Sequence, residues 1–512
     1  MFSRFAALSG FMIFMFSAVN FAAAADCAGL KSRSGPGIQI TAAELVPAGP
    51  AATPAPAGKT PVAATAPAGK MPGAAPAQIL PAYCRVAAVL TPSDDSHIEM
   101  ELWLPTETWN GKFQAVGGGG WAGTLSTPAM TSALREGYAT ASNDTGHKGG
   151  NALFGIGHPE KVIDYAYRAV HEMTVWSKTL IEAFYGQKPR LSYWNGCSTG
   201  GRQGLMSAQR YPEDYDAIIA GAPANYHSHL HVSDIALAFP LMKDDALKVP
   251  QAKLDLLNKA VLAACDELDG VKDGLLQNPA QCKYDPAALL CKSSDKEDCL
   301  TAGQIESVKR AYAPTTTKSG EIVFPGKSYG SEYSWSMLNS SQPSPVSAGT
   351  MILTYQDADW DWKTFDLERD LKLADERTGF INAIDPDLSA FKARGGKLLL
   401  YHGWDDMGIA PGNTVNYYSQ VQAKLGSKED DWMRLFMAPG MGHCSGGPGP
   451  DQANYMGALE RWVEGGAAPD RITAHRVSGN RIEMSRPLCP YPQTAKYRGI
   501  GSINDAANFE CK

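Results

Sequence analysis

The feature that most constrains this chain is a glycine-rich stretch at residues 194–204, WNGCSTGGRQG, which contains Gly-x-Ser-x-Gly centred on Ser198. The apolar segment Arg190–Trp194 before it predicts a buried strand, and Gly204–Arg210 predicts the first turns of a helix. A tight turn between strand and helix lifts the serine hydroxyl out of the backbone, where a base can reach it, as in a nucleophile elbow. The alternative is an ordinary glycine-rich turn with an incidental serine, because this pentapeptide is common.

Composition limits the classes of protein to which the chain can belong. Its 512 residues carry a formal net charge of −7, and the pI is near 5.8. This balance argues against a nucleic-acid-binding surface or a polybasic membrane patch. The length suffices for one large α/β domain with a second domain inserted into it. The composition carries no signal of an oligomeric state.

The N-terminus, residues 1–25, has the pattern of a secretory signal peptide. Arg4 precedes the apolar run Phe11–Phe16, and Ala22–Ala25 supply small residues for cleavage just before Asp26. The alternative is a membrane anchor, but the apolar run is short and interrupted, and no later stretch is long enough to span a bilayer. We therefore expect a secreted or periplasmic protein whose mature chain has no membrane anchor.

The ten cysteines suit an exported chain, because an even number in an oxidising compartment predicts disulfides. None is spaced Cys-x-x-Cys, which argues against a zinc ribbon or a redox motif. Cys27 and Cys84 flank a Pro/Ala-rich tract, residues 46–81, with few large apolar groups. We expect this tract to be a flexible insertion that the two cysteines could close into a loop.

Strand-like and helix-like segments alternate in two parts of the chain, residues 26–224 and 394–512. This alternation predicts a mostly parallel sheet with right-handed crossovers, and a helix is expected over Glu160–Tyr185. Between these parts, residues 225–393 break the pattern, and we predict that they form an inserted lid domain. The other expected strands are Ile38–Leu45, Tyr83–Leu90, His97–Pro105, Lys112–Val116, Ala139–Asp144, Tyr215–Pro223, Gly395–Gly403 and Trp432–Ala438.

A run of four glycines, Gly117–Gly120, follows the expected strand Lys112–Val116. In a hydrolase sheet, glycines at this place let backbone N–H groups face the oxygen of the reacting carbonyl. The alternative is a mobile glycine loop. A dinucleotide-binding loop does not fit, because no G-x-G-x-x-G opens a helix here.

Two later loops carry candidates for the partners of the serine. Asp405 and Asp406 follow a strand downstream of Ser198, where the acid of a Ser…Asp…His triad belongs, and spacing alone does not choose between them. His443 lies in a glycine-rich loop after the last strand, from which it could act as general base. The alternatives are solvated loop carboxylates and an exposed loop histidine.

The most specific signal couples these loops to the serine. Cys197 directly precedes Ser198, and Cys444 directly follows His443. If the serine and the histidine meet, the two cysteines lie close enough to form a disulfide. That bond would close a loop of 247 residues (444 − 197) and fix the distance between nucleophile and base.

An acidic loop, Cys265–Leu275, places Asp266, Asp269 and Asp273 around two glycines. Three carboxylates with carbonyls between them suit Ca²⁺, although the pattern is not that of an EF-hand. The alternative is an acidic, solvated turn, which the residues alone slightly favour.

A second candidate metal cluster is the run His227-Ser228-His229-Leu230-His231. Metal binding would need the histidines on one strand face together with a carboxylate ligand that the sequence does not identify. We therefore prefer a loop at the lid edge or facing the substrate.

Five motifs together are far more specific than the pentapeptide at the serine: Cys197-Ser198, His443-Cys444, Tyr401–Trp404, Ser142–His147 and Arg486–Pro492. In these motifs the chain resembles the tannase and feruloyl esterase family of α/β-hydrolases, which also contains the bacterial hydrolase of mono(2-hydroxyethyl) terephthalate. The resemblance covers nearly all of the mature chain, and it implies an α/β-hydrolase fold with a large inserted lid domain. The Pro/Ala tract departs from the family and looks like an insertion without a catalytic part.

The same resemblance assigns roles to residues. The family's His-Gly-Trp-x-Asp motif selects Asp406 over Asp405 as the triad acid. It implies a structural Ca²⁺ in the lid, held by the side chains of Asp266, Asp269 and Asp273 and the carbonyls of Val271 and Leu275. The implied disulfides are Cys27–Cys84, Cys197–Cys444, Cys265–Cys282, Cys291–Cys299 and Cys489–Cys511.

Together these features predict a secreted serine carboxylesterase for small aromatic esters, such as hydroxycinnamoyl or galloyl esters. Ser198 would attack, His443 would act as base and Asp406 would orient it. The N–H of Thr199 and one from Gly118–Gly120, taken as Gly119, would hold the oxyanion. The alternatives are a hydrolase of mono(2-hydroxyethyl) terephthalate-type esters, a peptidase of the same fold, and a non-catalytic binding protein, which would lack a triad member.

Overall fold

The structure, a computed structural model, describes residues 26–50, 79–426 and 431–512. The expected signal peptide and most of the Pro/Ala tract lie outside the described residues. The strands are β1 (Ile38–Val46), β2 (Gly49–Pro50), β3 (Ile79–Leu80), β4 (Tyr83–Leu90), β5 (Ile98–Pro105), β6 (Lys112–Val116), β7 (Ala139–Asn143), β8 (Leu191–Cys197), β9 (Ala217–Gly221), β10 (Thr315–Thr316), β11 (Ile322–Phe324), β12 (Lys397–Gly403), β13 (Met433–Ala438), β14 (Gln452–Ala453), β15 (Ile472–Ser478), β16 (Arg481–Leu488), β17 (Ala495–Tyr497) and β18 (Phe509–Cys511). The α-helices are α1 (Thr127–Arg135), α2 (Pro159–Ile163), α3 (Ala169–Tyr185), α4 (Thr199–Arg210), α5 (His227–Lys243), α6 (Gln251–Cys265), α7 (Ala302–Tyr312), α8 (Pro345–Tyr355), α9 (Leu367–Thr378), α10 (Ser389–Ala393), α11 (Gly412–Leu425) and α12 (Tyr455–Gly465).

A nine-stranded sheet forms the centre of the fold, in the order β1-β4-β5-β7-β6-β8-β9-β12-β13. The strands from β7 to β13 run parallel, and β1, β4 and β5 extend one edge in antiparallel fashion. All residues of β6, β7 and β9 are buried, as expected for parallel strands that are covered on both faces. The predicted α/β-hydrolase sheet is confirmed, and the carboxyl ends of its parallel strands lie at one edge.

The chain between β9 and β12 leaves this sheet. It contains α5–α10 and only one short hairpin, β10–β11, in place of further sheet strands. Its helices pack on a hydrophobic cluster of their own, which includes Leu254, Leu257, Val261, Trp335 and Leu338.

Three expected segments differ in detail. The helix after the serine begins at Thr199 rather than near Gly204, because the turn at the serine passes directly into the helix. The single helix expected over Glu160–Tyr185 is α2 and α3, joined by a π-helical segment at Asp164–Arg168. The histidines of His227–His231 lie in the first turns of α5 and therefore in neither a strand nor a loop.

Five disulfides form, and they are the five pairs that the family resemblance implied: Cys27–Cys84, Cys197–Cys444, Cys265–Cys282, Cys291–Cys299 and Cys489–Cys511. The two ends of the Pro/Ala tract meet as an antiparallel pair, β2 with β3. None of the helices in the described ranges combines the length and apolarity that crossing a bilayer requires.

Candidate active site

Ser198 lies between the end of β8 and the start of α4, at the carboxyl edge of the sheet. Its φ of 64° is in the left-handed region, an unfavourable backbone conformation that is typical of a nucleophile elbow. The flanking glycines have a steric reason. A Cβ at Gly196 would lie 2.6 Å from the carbonyl carbon of Gly200, and one at Gly200 would lie 3.1 Å from the Cα of Gly117. Only glycines therefore allow this close approach of the strand, the helix and the glycine run.

Ser198, His443 and Asp406 form one hydrogen-bonded chain. Ser198 Oγ lies 2.9 Å from His443 Nε2, and His443 Nδ1 lies 2.7 Å from Asp406 Oδ2. Ser198 is half-buried, whereas Asp406 is completely buried. With Nδ1–H donating to the carboxylate, Nε2 is free to accept the serine proton, which is the arrangement required for general-base activation of a hydroxyl.

The Asp406 carboxylate is held by more than the imidazole of His443. Its Oδ1 accepts the backbone N–H groups of Gly408 and Ile409 at 2.8 and 2.9 Å, and its Oδ2 is 2.9 Å from His402 Nε2. His402 is itself fixed on its other side, because its Nδ1 lies 2.7 Å from Thr414 Oγ1. Four donors therefore orient the carboxylate and stabilise its charge.

The two adjacent aspartates have opposite electrostatic environments. Burial alone would raise the pKa of Asp406, but the hydrogen bonds from His402 and His443 outweigh it and hold that pKa below the ordinary value. Burial raises the pKa of Asp405 well above its ordinary value, and the nearby Glu332 charge adds to this shift. The hydrogen bonds therefore favour the ionised form of Asp406, whereas burial disfavours the charged form of Asp405, which physically separates two candidates that spacing had left open.

The contact with Asp406 also raises the pKa of the base, His443. Burial would lower the pKa of His443, but the hydrogen bond to Asp406 and its negative charge overcome this, so that the pKa lies above the ordinary value. The side chain of His443 is 37% exposed, so its Nε2 faces both Ser198 and an approaching substrate.

Two backbone N–H groups are available beside Ser198. Thr199 is the first residue of α4, and its N–H therefore has no acceptor within the helix. In the glycine run, Gly118 donates its N–H to Gln203 Oε1 at 3.2 Å, whereas Gly119 makes no hydrogen bond within the described ranges. A Cβ at Gly119 would meet nothing within 4 Å, so this residue faces open space. Thr199 and Gly119 are thus suited to hold an oxyanion.

The acidic loop brings Asp266, Asp269 and Asp273 together. Burial, with the charges of Asp273 and Asp266, raises the pKa of Asp269 to about 6. One oxygen of Asp273 is paired with Arg486, and Asp266 accepts the N–H groups of Asp273 and Gly274. Carboxylate oxygens are the type of ligand that Ca²⁺ prefers. No group of three or more His, Cys, Asp or Glu side chains in the described residues has the spacing of an assembled metal site.

The histidines of α5 have structural partners. His229 bonds to the carbonyl of Val323 at 2.9 Å and to Asp375 at 3.0 Å. Burial lowers the pKa of His227 well below its ordinary value and that of His231 to about 3. Both are thus neutral, with ring centroids 4.5 Å apart, and they pack edge to face. Neither strand spacing nor a shared carboxylate ligand supports a metal cluster here.

Sequence reasoning missed two residues of this site. His402 was part of the Tyr401–Trp404 motif but was given no role, although its position four residues before Asp406 could have suggested the contact. Tyr165, whose hydroxyl donates to the carbonyl of Gly120 at 3.0 Å, carries no signal in the sequence, because the π-helical segment that places it is not predictable from periodicity.

Comparisons with known proteins agree with this geometry. The family model for tannase and feruloyl esterase matches residues 84–512. An uncharacterized esterase of Xanthomonas campestris pv. campestris is 34% identical over 544 aligned positions, which cover 96% of this chain and 91% of that protein. A protein of Aspergillus oryzae described as a probable feruloyl esterase B-1 is 33% identical over 456 positions, which cover 84% of each chain.

Solved structures show the same relationship. Feruloyl esterase B from Aspergillus oryzae has a TM-score of 0.86 at 30% identity, covering 95% of this chain and 99% of that one. Tannin acyl hydrolase from Aspergillus niger shares the fold, with a TM-score of 0.74 at 21% identity over 93% of this chain and 92% of that one. The chain therefore belongs to the tannase and feruloyl esterase family, and it is a carboxylic ester hydrolase.

Proposed function

We propose that this protein is an exported serine esterase that hydrolyses small aromatic esters through an acyl-enzyme on Ser198. The observation that carries the proposal is the continuous hydrogen-bonded chain from Asp406 through His443 to Ser198. A non-catalytic binding protein would have no reason to keep all three groups in register and the serine in a left-handed conformation.

Acylation begins with the Ser198 hydroxyl donating to His443 Nε2. As Oγ attacks the ester carbonyl carbon, its proton passes to Nε2, and Asp406 stabilises the resulting imidazolium through Nδ1–H. The carbonyl oxygen becomes an oxyanion, to which the N–H groups of Thr199 and Gly119 donate. Collapse of the tetrahedral intermediate breaks the bond to the alcohol oxygen, and His443 returns the proton to that oxygen.

Deacylation repeats these steps with water as the nucleophile. His443 Nε2 takes a proton from the water as its oxygen attacks the acyl carbon, and then gives the proton back to Ser198 Oγ. The products are the free carboxylic acid and the regenerated serine. The same two backbone donors hold the second oxyanion, so one geometry serves both halves of the reaction.

Residues 225–393 would form the lid over this site and select the acid. Three contacts tie this segment to the catalytic loops. Lys327 donates to the carbonyl of Met407 at 2.8 Å, the Tyr333 hydroxyl lies near the carboxyl of Asp405, and Arg202 donates to the carbonyl of Ile381 at 3.2 Å. Two of these contacts are made to Asp405 and Met407, the neighbours of Asp406 in sequence, which supports a lid beside the triad.

We further propose that the acidic loop binds a structural Ca²⁺. Asp266, Asp269 and Asp273 would supply carboxylate oxygens, and Val271 and Leu275 would supply carbonyl oxygens. The ion would offset the burial of Asp269 and the neighbouring charges of Asp273 and Asp266, which together raise the pKa of Asp269, and it would stabilise the loop that Cys265–Cys282 closes.

Export of the protein is supported by its disulfides. All ten cysteines are paired, and disulfides of this density persist in oxidising compartments and are rare in the cytosol. Together with the signal-peptide pattern of residues 1–25, this favours a secreted or periplasmic protein.

The substrate class is tested by acid release from ethyl ferulate, ethyl gallate and mono(2-hydroxyethyl) terephthalate, with wild type and Ser198→Ala side by side. We expect at least one ester to be hydrolysed by the wild type and none by the variant. Preference for the terephthalate ester would select the synthetic-ester alternative. Cleavage of an aryl amide in place of all three esters would indicate a peptidase, and a wild type inert toward every ester would exclude the proposed class.

A further inference from the structure

Two hydrogen bonds hold the glycine run just before Gly119, the proposed oxyanion donor. Ser126 Oγ donates to the carbonyl of Gly117 at 2.6 Å, and the N–H of Gly118 donates to Gln203 Oε1 at 3.2 Å. These two bonds hold the oxygen and the hydrogen of one peptide group. The plane between Gly117 and Gly118 therefore cannot rotate without losing both.

Two further hydrogen bonds hold the glycine run just after Gly119. The carbonyl of Gly120 accepts two hydroxyl groups, Thr199 Oγ1 at 2.8 Å and Tyr165 Oη at 3.0 Å. Gly120 has a φ of +56°, which is a conformation that a side chain would disfavour, and the two hydroxyls hold it there.

The peptide group between Gly118 and Gly119, which carries the Gly119 N–H, lies between these two sets of hydrogen bonds. Because the backbone has only two soft torsions per residue, holding the Gly117–Gly118 peptide and the Gly120 carbonyl limits the directions that the Gly119 N–H can take. An oxyanion donor has to be aimed before the reaction starts, since its benefit comes from not having to reorganise. Glycine makes the close approach possible but is too flexible to supply that direction itself.

Each of these two pairs of hydrogen bonds includes one side chain of α4, the helix that begins directly after Ser198. Thr199 and Gln203 are four residues apart in α4, so they lie on one face of the helix. The N–H of Thr199 is the other oxyanion donor. The two donors are thus fixed to each other through one turn of α4, which begins directly after Ser198.

Tyr165 reaches the glycine run because the chain widens locally into a π-helical segment, Asp164–Arg168. Arg202, also in α4, is completely buried and donates to the carbonyls of Ala166 at 2.8 Å and Tyr165 at 3.1 Å. Its guanidinium carbon lies 4.8 Å from the centroid of the Tyr165 ring. The segment that holds the Tyr165 hydroxyl in place is therefore itself bound to the nucleophile helix.

We propose that Tyr165 and Gln203 are positioning residues that aim the Gly119 N–H at the oxyanion. In the proposed mechanism, neither side chain contacts the substrate. Each acts through the glycine run, so its removal should weaken binding of the transition state and leave binding of the ground state nearly unchanged. This inference rests on the proposed function, because it takes Ser198 as the nucleophile.

The experiment compares wild type, Tyr165→Phe, Gln203→Met and the double variant. Tyr185→Phe is the matched control. It also deletes a tyrosine hydroxyl that donates to a backbone carbonyl, but this carbonyl belongs to Pro105, at 2.7 Å, and lies outside the glycine run. We measure kcat and KM on the preferred ester. Inhibition is measured with an arylboronic acid, which adds to the serine oxygen and places an oxygen in the oxyanion position, and with the product acid. Melting temperatures identify any variant that fails to fold.

We expect kcat to fall about tenfold in each single variant and by about 10²–10³ in the double variant, the loss that removal of one donor causes. KM and inhibition by the product acid should change by less than about threefold, while inhibition by the boronic acid weakens in parallel with kcat. Tyr185→Phe should match the wild type.

The proposal is overturned if both single variants keep wild-type kcat, if KM changes in place of kcat, or if the boronic and product acids weaken equally. Labelling by a phosphonate separates this failure from that of the proposed function. A wild type that is not labelled at Ser198 overturns both, whereas normal labelling with unchanged variants overturns the positioning role alone. If the double variant does not fold, the single variants decide.

Discussion

Cys197 and Cys444 form a disulfide, with Cα atoms 6.0 Å apart, that joins the residue before Ser198 to the residue after His443. The bond spans 247 residues of sequence, and it connects the last residue of β8, inside the sheet, to the loop after β13, the strand at one edge of the sheet. The nucleophile and the base are therefore linked by a covalent path through the disulfide as well as by the chain between them. We expect their separation of 2.9 Å to depend on that link as well as on packing.

Replacing both cysteines by serine should reduce activity more than stability explains. In the chain-entropy model, loss of this crosslink costs about 5 kcal/mol of unfolding free energy, and displacement of the base by about 1 Å costs about 10²-fold in kcat. Cys291→Ser with Cys299→Ser is the control, because its 8-residue separation corresponds to about 2.5 kcal/mol and lies in the predicted lid. Denaturant unfolding and kcat are measured on both. Equal losses of kcat would contradict a role in aligning the triad.

The adjacent aspartates should respond differently to the same substitution. Asp406→Asn removes the ionised partner of His443, and we expect kcat to fall about 10⁴-fold, as in other triads. Asp405→Asn replaces a carboxyl whose charged form burial disfavours by an amide of nearly the same shape, so kcat should stay within about threefold. A larger loss in Asp405→Asn than in Asp406→Asn would show that the acid has been assigned to the wrong residue.

The pH dependence follows from the raised pKa of His443. The base must be neutral, so kcat/KM should rise with pH through that pKa, and the midpoint of the limb should lie above 6.5. In Asp406→Asn the charge that raises the pKa is gone while burial remains, so the limb of the residual activity should move to lower pH. A midpoint that stays in place in this variant would mean that another group titrates.

The raised pKa of His443 also makes the free energy of unfolding depend on pH. Because the pKa of His443 is higher in the folded state, its pairing with Asp406 stabilises the fold fully below about pH 6.5, and this contribution is lost as pH rises through the folded pKa. For Asp406, whose pKa is depressed, the contribution is present above its ordinary pKa and is lost as pH falls through the folded value.

The sequence predicted the parts of the site that depend on chain order. In a parallel sheet, loops that follow successive strands meet at one edge, so Ser198, Asp406 and His443 could be placed together from their positions after strands. The disulfide between Cys197 and Cys444 could be predicted for the same reason, because these cysteines adjoin Ser198 and His443. The choice of Asp406 over Asp405 came from family resemblance, and burial and hydrogen bonding supply its physical reason.

Other contacts could not be predicted, because they depend on how side chains pack. The π-helical segment at Asp164–Arg168 has the apolar spacing of an ordinary helix, so no sequence pattern indicates that Tyr165 contacts the glycine run. His227, His229 and His231 alternate as in a strand, but they begin a helix that is buried on nearly every side and so lacks a clear period. Tertiary packing decided both cases.

Calcium should stabilise the fold without changing the chemistry. At a free concentration 100 times its Kd, the ion should add about 2.7 kcal/mol of unfolding free energy. We expect chelation to lower the melting temperature and added Ca²⁺, but not Mg²⁺, to restore it. Asp269→Asn should not respond to either treatment, and Asp298→Asn, outside the acidic loop, should respond like the wild type. A wild-type melting temperature that is insensitive to both treatments would contradict the calcium site.

The most direct test of the account is to find the acyl group during turnover. Wild-type enzyme is mixed with an excess of its preferred aromatic ester, quenched in acid within the first turnovers, digested and analysed by peptide mass spectrometry. We expect the acyl group on the peptide that contains Ser198, and none in Ser198→Ala, which should also release no acid. An acyl group on another residue, or hydrolysis by Ser198→Ala at the wild-type rate, would contradict the assignment of Ser198 as the nucleophile.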